Sequence, residues 1–204
     1  VFEFLKYNYR RQEYQKLLVS PHGFRPALLS MVEREIAHAR DGYRGFIFFK
    51  CNNLVDQELT NKLYEASQAG VEVRLIVRGM CQIKPGVKGL SENIKAISIV
   101  DRYLEHARAY VFHNRGKPKY YIGSADLMTR NIDYRVEVLC PIVDRDAQKI
   151  IQDVLDQQWH DNVKARILDA DQSNRFRKPE KRAPTIRSQE SIHRYLAAGK
   201  LPRY

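Results

Sequence analysis

The chain has 204 residues, of which 44% are hydrophobic, and it carries a formal net charge of +11 at pH 7. These values support one globular domain with a buried core, and no apolar run reaches the ~20 residues that a membrane-spanning helix needs. Three scattered cysteines, Cys51, Cys81 and Cys140, argue against a disulfide scaffold or a zinc site and favour a reducing compartment. Because Cys51 and Cys140 end apolar runs, we expect both in packed interior.

The positive charge is concentrated near the C-terminus. Residues 175–204 carry a net charge of +7, whereas the other 174 residues carry only +4. A basic segment of this kind favours polyanionic partners, such as nucleic acid, polyphosphate or an anionic membrane surface. A solvated tail without a dedicated partner explains the composition equally well.

The first half of the chain alternates short apolar runs with helical patterns. Residues 1–15 mix aromatic and charged side chains without the apolar stretch of a signal peptide. Beyond them we predict, in chain order, a strand at 17–20, a helix at 24–41, a strand at 46–49, a helix at 54–69 and a strand at 71–77. Gly42 and Gly70 end the two helices.

The second half begins with a long loop at 79–93, which matches neither a P-loop nor a dinucleotide-binding fingerprint. We then predict a strand at 97–100, a hairpin of 107–112 with 119–122, a strand at 136–141, and helices at 147–160 and 188–198. Strands that alternate with helices and then continue as a hairpin predict an α/β fold, with a mixed β-sheet flanked by helices.

The densest set of chemically capable side chains lies between residues 98 and 141. In chain order it comprises His106, Arg108, Ser124, Asn131, Arg135 and Glu137. An imidazole can attack phosphorus or supply a proton, while guanidinium groups and small donors hold phosphate oxygens. This combination predicts phosphoryl chemistry.

Each candidate also has a simpler structural interpretation. Arg78 directly follows a predicted strand, where ligands usually bind in open α/β sheets, but a surface salt bridge would place it there too. Arg135 and Glu137 are two residues apart on an extended segment, so Glu137 is a candidate acceptor for the second ring nitrogen of His106, or simply the partner of Arg135 in an ion pair. Ser124 and Asn131 are equally good phosphate donors and turn residues.

The motifs resemble a known superfamily and, within it, one family. His-x-Arg followed by Gly-Ser and Asn is similar to a half-site of the phospholipase D superfamily, with Arg108 in place of the usual lysine. Four longer strings closely resemble the C-terminal domain of bacterial polyphosphate kinase of the first type, from about residue 17 to at least residue 175. They are IVRGMC (76–81), PGVKGLSENI (85–94), SIVDRYLEHAR (98–108) and GSADLMTRNIDYRVEV (123–138).

That resemblance implies a place in a four-domain cytoplasmic enzyme, with or without peripheral attachment to the inner membrane. The enzyme transfers the terminal phosphate of ATP reversibly to polyphosphate through a phosphohistidine, and its last two domains are phospholipase-D-like halves facing each other. Residues 1–16 would then be the tail of the preceding domain, 17–174 the phospholipase-D-like catalytic domain, and 175–204 a basic extension. The phosphohistidine, the Mg²⁺ ligands and the adenine pocket would lie outside this chain.

The resemblance also assigns roles to residues. His106 matches a histidine that acts as acid or base and touches the nucleotide, and Arg78 and Arg135 match arginines that bind the nucleotide phosphates of ATP or ADP. From the residues alone, Glu137 is the expected catalytic partner of His106, and Ser124 and Asn131 are expected to complete the phosphate-binding set. The expected partners are ATP, polyphosphate, the preceding domains and further copies of the full enzyme, with no metal ligand in this chain and no specific nucleic acid.

Because the nucleophile would lie on another domain, we expect the isolated chain to be inactive. Two other functions stay open at this point. One is a basic module that binds phosphate or polyphosphate without chemistry. The other is a phospholipase-D-like phosphodiesterase, in which two copies pair symmetrically with their His106 rings facing each other.

Overall fold

A computed structural model describes residues 2, 6–7, 14–179 and 183–198. Most of the expected tail at 1–16 lies outside these residues. The strands are β1 (Leu18–Val19), β2 (Phe46–Cys51), β3 (Glu72–Val77), β4 (Ile94–Ile99), β5 (Ala109–Phe112), β6 (Lys119–Gly123), β7 (Val138–Ile142) and β8 (Ala165–Leu168). The helices are α1 (Phe24–Arg40), α2 (Gln57–Gln68), α3 (Thr129–Asp133), α4 (Arg145–Trp159) and α5 (Ser188–Ala197).

The strands form a single mixed sheet, as the sequence predicts. Its order is β1-β7-β6-β5-β2-β3-β4-β8. The central strands β2, β3 and β4 run parallel, because α2 and the long loop after β3 return the chain to the same end of the sheet each time. The remaining pairs are antiparallel.

Both faces of the central strands are covered. Side chains alternate along β2, so Phe49 packs with α1 and α2 on one face, while Phe48 points to α4 on the other. The Phe48 and Trp159 rings meet edge to face with centroids 5.6 Å apart, and Phe49 meets Tyr110 in the same way at 5.2 Å. The central strands therefore form a rigid platform whose ends carry the site.

The structure departs from the sequence-based boundaries in a few places. Strand β7 begins at Val138, so Arg135 and Glu137 precede the strand rather than lie in it. The short elements α3 and β8 are additional to the predicted ones. Cys51 is buried as expected, but the expectation for Cys140 is wrong, since its side chain is exposed in a groove between β7 and α4.

The described part of the C-terminal basic segment is folded against the body. Helix α5 forms where the sequence predicts it and packs beside α4, where the Tyr195 hydroxyl donates to Asp153 at 2.7 Å. Within the described ranges, no helix combines the length and apolar character needed to cross a bilayer.

Candidate functional site

The sheet register brings the predicted site residues to one end of the strands, which is called the site edge below. Cys51 at the end of β2 lies beside Val77 at the end of β3, and Lys50 of β2 lies opposite Ala109 at the start of β5. Gly123 at the end of β6 lies opposite Leu139 near the start of β7. The segments that follow or precede these strand ends carry, in chain order, Arg78, His106, Arg108, Ser124, Asp126, Asn131, Arg135 and Glu137.

Glu137 is the centre of one polar cluster at this edge. Its side chain is only 5% exposed. The Ser124 hydroxyl donates to Glu137 Oε2, the Asn131 amide donates to Oε1 at 2.7 Å, and Arg135 Nε lies 3.4 Å from Oε1. Three of the other predicted residues therefore meet around the Glu137 carboxylate.

This cluster corrects the role expected for Glu137. The carboxylate does not contact His106, because both of its oxygens are turned toward Ser124 and Asn131. Ser124 has one hydroxyl proton and directs it at Glu137, so it is not a free donor to phosphate. The observed arrangement makes Glu137 the acceptor that orders the Gly-Ser turn and α3, rather than the acceptor that orients the histidine.

Gly123 allows this turn to lie close to β7. A Cβ atom at Gly123 would come within 2.1 Å of the Val138 carbonyl oxygen and 2.5 Å of a Leu139 methyl carbon. Backbone oxygen cannot yield at that distance, so only glycine fits. The Gly-Ser pair is therefore a packing requirement of β6 against β7 as well as a functional motif.

His106 instead lies against Arg108. Arg108 Nη1 is 3.0 Å from Nδ1 of the imidazole and donates to the His106 carbonyl oxygen at 2.8 Å. The rest of the guanidinium pairs with Asp126, with Nε and Nη2 each 3.2 Å from a different carboxylate oxygen. This two-pronged pairing holds the planar guanidinium beside the exposed imidazole.

Asp126 is a site residue that sequence reasoning missed. Its carboxylate also accepts from the Asn52 backbone N–H at 2.8 Å and from the Asn53 amide at 3.2 Å, and so joins the ends of β2 and β6. Burial by itself raises the pKa of Asp126, but the hydrogen bonds from Arg108 and the Asn52 backbone outweigh it and hold the pKa below its usual value. The sequence did carry a signal, since Asp126 is a carboxylate just after the end of β6, and β6 pairs with β5, which begins directly after Arg108.

Arg78 lies on a loop that is tied to the same cluster. Asn53 Oδ1 accepts from the Met80 backbone N–H at 3.0 Å. Gly79 packs so closely there that a Cβ atom would lie 2.7 Å from Asn53 Oδ1. The Arg78 side chain is half-buried, and within the described ranges it has no hydrogen bond or ion pair to a protein group. Arg135 is paired with Glu137 through Nε, but its side chain is 59% exposed, so both arginines keep guanidinium nitrogens that a ligand can reach.

We expect Glu137→Gln to destabilise the protein by about 1–3 kcal/mol, because the new amide group would face a donor from Ser124 or Asn131. Urea denaturation of both proteins at neutral pH measures the effect. Glu92→Gln, at an exposed position, serves as the matched control and should leave the free energy of unfolding unchanged. Equal stability of the Glu137 variant and the wild type would contradict the ordering role.

Comparisons with known proteins identify the family of this chain. The model of the family described as polyphosphate kinase C-terminal domain 2 matches residues 17–189. Polyphosphate kinase of Escherichia coli (strain K12) is 47% identical over 202 residues, which are 99% of this chain but 29% of that protein. The chain therefore spans less than a third of this curated relative.

Solved structures of other proteins show a similar fold. The crystal structure of polyphosphate kinase from Porphyromonas gingivalis matches with a TM-score of 0.93 and 38% identity, over 98% of this chain and 30% of that one. A phospholipase D family member, Nuc from Salmonella typhimurium, matches with a TM-score of 0.54 over 76% of this chain and 97% of that one. At 13% identity, this second likeness shows the fold alone. On the strength of the family match over most of its length, the chain belongs to the polyphosphate kinase C-terminal domain 2 family.

Proposed function

We propose that this chain supplies one half of the active site of a polyphosphate kinase, an ATP:polyphosphate phosphotransferase. In that reaction the terminal phosphoryl group of ATP passes to a histidine of a preceding domain and then to the end of a polyphosphate chain. The observation that carries the proposal is the grouping of His106 and Arg108 with the two available arginines at one edge of the sheet. The family match and the full-length relatives support it.

The arginines provide the phosphate-binding component. Arg78 follows β3 and Arg135 precedes β7, so in the sheet order the two residues flank β5, which begins just after His106 and Arg108. Both arginine side chains are at least partly exposed. Charge-assisted hydrogen bonds from such groups to phosphate oxygens neutralise the charge that spreads over the transferring phosphoryl group. Asn131 directs its amide at Glu137, so we assign it and Ser124 to shaping the turn beside the arginines.

His106 provides the proton-transfer component. Its imidazole is exposed at the edge, where a ligand can reach it, and it is oriented by the Arg108 guanidinium. In the proposed reaction it donates a proton to the leaving phosphate oxygen in one direction and accepts it in the other. The phosphohistidine that completes the reaction would lie on a preceding domain, so this chain by itself is expected to lack turnover.

Magnesium, which the family resemblance implies for the full enzyme, does not fit the residues at this edge. Among the described residues no group of three or more His, Cys, Asp or Glu side chains is placed to hold a metal. The two carboxylates of the site are engaged, Asp126 by Arg108 and Glu137 by Ser124 and Asn131. We therefore assign the ion's protein ligands to the preceding domains.

In the full-length protein that carries this chain, we expect Arg78→Ala and Arg135→Ala each to raise the KM for ATP and lower turnover. Each change removes a charge-assisted contact worth about 1.5–3 kcal/mol, so kcat/KM should fall by roughly ten- to a hundredfold. Steady-state assays of polyphosphate formation from ATP measure both constants.

The matched control is Arg115→Ala, since Arg115 is paired with Asp41 outside the site edge and should leave both constants unchanged. A binding module without chemistry predicts that the full-length protein binds ATP or polyphosphate but forms no new polyphosphate. A symmetric phosphodiesterase predicts hydrolysis of a phosphodiester by two copies of the chain. Either result would overturn the proposed function.

A further inference from the structure

The loop that carries His106 has little internal structure of its own. It comprises residues 100–108, between β4 and β5, and is called the His106 loop below. Val100, Tyr103 and Leu104 are largely exposed, and the backbone–backbone hydrogen bond within the loop joins the His106 N–H to the Leu104 carbonyl at 3.1 Å. A loop of this kind needs anchors from elsewhere to hold an imidazole in one place.

The first anchor comes from the start of α5. Arg187 pairs with both oxygens of Asp101, with Nε and Nη2 at 2.8 and 2.6 Å. The Asp101 side chain is only 2% exposed, and its hydrogen bonds from Arg187 hold its pKa below the usual value. The beginning of the His106 loop is thus tied to the C-terminal segment by a two-pronged ion pair.

The second anchor is Gln189, in the first turn of α5. Its amide oxygen accepts from the Tyr103 backbone N–H at 2.9 Å, and its amide nitrogen donates to the Tyr103 carbonyl at 2.8 Å. The Gln189 side chain therefore hydrogen-bonds to both backbone polar groups of Tyr103, as a neighbouring β-strand would. The same nitrogen also donates to Glu105 Oε1 at 2.8 Å.

The third anchor is Glu105, which immediately precedes His106. Its other oxygen, Oε2, accepts from Lys50 at 2.7 Å and from Gln158 at 2.6 Å. Lys50 lies on the central strand β2 and is almost fully buried, so the pair is shielded from water. Glu105 thereby connects the residue before the imidazole to the sheet, to α4 and, through Gln189, to α5.

Helix α5 is itself firmly attached to the body. The fully buried Asp161 accepts from the Ser188 N–H and from the Ser188 hydroxyl, both at 2.7 Å. Its other oxygen accepts from the backbone of Val163, Lys164 and Ala165, at the start of β8. The start of α5 is therefore a fixed point from which Arg187 and Gln189 reach the His106 loop.

We propose that the C-terminal segment is a positioning element for the proposed active site, and that Gln189 is the positioning residue through which it holds the His106 loop. The inference rests on the proposed function for what His106 does, but the contacts that define it are independent of that function. It gives the described part of the basic extension a role beyond binding polyanions. It also predicts that changes in α5, distant in sequence from the site, alter catalysis.

The test uses the full-length protein with Gln189→Ala. Loss of the paired hydrogen bonds should speed amide hydrogen exchange in peptides from residues 100–108 and lower kcat by between about ten- and a hundredfold, because His106 is no longer held in place. The KM for ATP should change little, since Arg78 and Arg135 do not contact Gln189. Gln189→Glu should be at least as harmful, because it removes the donor and places a second carboxylate beside Glu105.

Leu196→Ala is the matched control, because Leu196 is an exposed position on the same helix whose apolar side chain offers no hydrogen bond to the His106 loop, and it should behave as wild type. Unchanged exchange in residues 100–108 would overturn the proposal, as would faster exchange with wild-type kcat. His106→Ala is measured alongside. If His106→Ala retains turnover, the proposed function fails. If His106→Ala loses turnover while Gln189→Ala does not, only the positioning role fails.

Discussion

Replacing His106 by alanine in the full-length protein should lower turnover by roughly 10²–10⁴-fold, the usual contribution of a positioned acid–base group. The fold should survive, because the imidazole is exposed and its side-chain contact is with Arg108 rather than with the core. Polyphosphate formation from ATP, measured together with the melting temperature, separates the two effects.

His160→Ala is a suitable control for this substitution. His160 is also exposed, but it follows α4 and its Nδ1 contacts the Asp156 carbonyl. Its replacement should leave turnover unchanged. Near-normal turnover of His106→Ala would refute the acid–base role, and a large drop in its melting temperature would show that the residue is structural.

Replacing Arg108 by alanine should be costly for both stability and activity. The change leaves the Asp126 carboxylate buried without its cation, and breaking a buried ion pair in this way costs about 3–5 kcal/mol of unfolding free energy. It also removes the group that orients His106. Arg108→Lys keeps the charge but loses the two-pronged geometry, so its stability and turnover should be intermediate.

A double-mutant cycle tests whether the Arg108–Asp126 pair is the cause. Arg108→Ala combined with Asp126→Ala should be less destabilised than the sum of the single changes, because no unpaired charge remains. Denaturant unfolding of the four proteins at neutral pH gives the coupling energy. Additive changes in the free energy of unfolding would show that the two side chains act independently.

Low pH should weaken the ion pair between Arg108 and Asp126 in the wild-type protein. The pKa of Asp126 is lower in the folded protein than in the unfolded chain, where an aspartate titrates near pH 3.9. Its contribution to stability is therefore complete above about pH 4 and is lost as the pH falls through the lowered folded value. The double variant should show a smaller loss of stability over this acid range than the wild type.

Part of the difference between the predicted and observed fold follows from the range of the interactions. The helices α1, α2, α4 and α5 carry long periodic patterns of apolar residues, which are visible locally and were predicted close to their observed bounds. Strand β8 has four residues, and it exists because it pairs antiparallel with β4, about 70 residues earlier in the chain. A partner so distant leaves no local pattern.

The partners of Glu137 and Arg108 show the same limit within the site. The two-residue spacing of Arg135 and Glu137 suggested that their side chains share one side of an extended segment. In the structure, Arg135 Nε does lie 3.4 Å from Glu137 Oε1. The choice between His106 and Ser124 as the partner of Glu137 depends on how close β6 approaches β7 at Gly123. The distance between β6 and β7 is set by the sheet as a whole, and neither the His-x-Arg motif nor the Gly-Ser motif specifies it.

The amino-acid sequence by itself determined the family, the α/β fold with a mixed sheet, and the positions of Arg78, His106 and Arg135 beside strand ends. These features follow from local periodicity, chain order and long collinear motifs. Only the tertiary structure decided that Asp126 holds Arg108 against His106, that Glu137 orders Ser124 and Asn131, and that α5 reaches the His106 loop. The contacts of Asp126 with Arg108, of Glu137 with Ser124 and of Gln189 with Tyr103 join residues 18, 13 and 86 positions apart, so sheet order and register, rather than spacing along the chain, decide that these side chains meet.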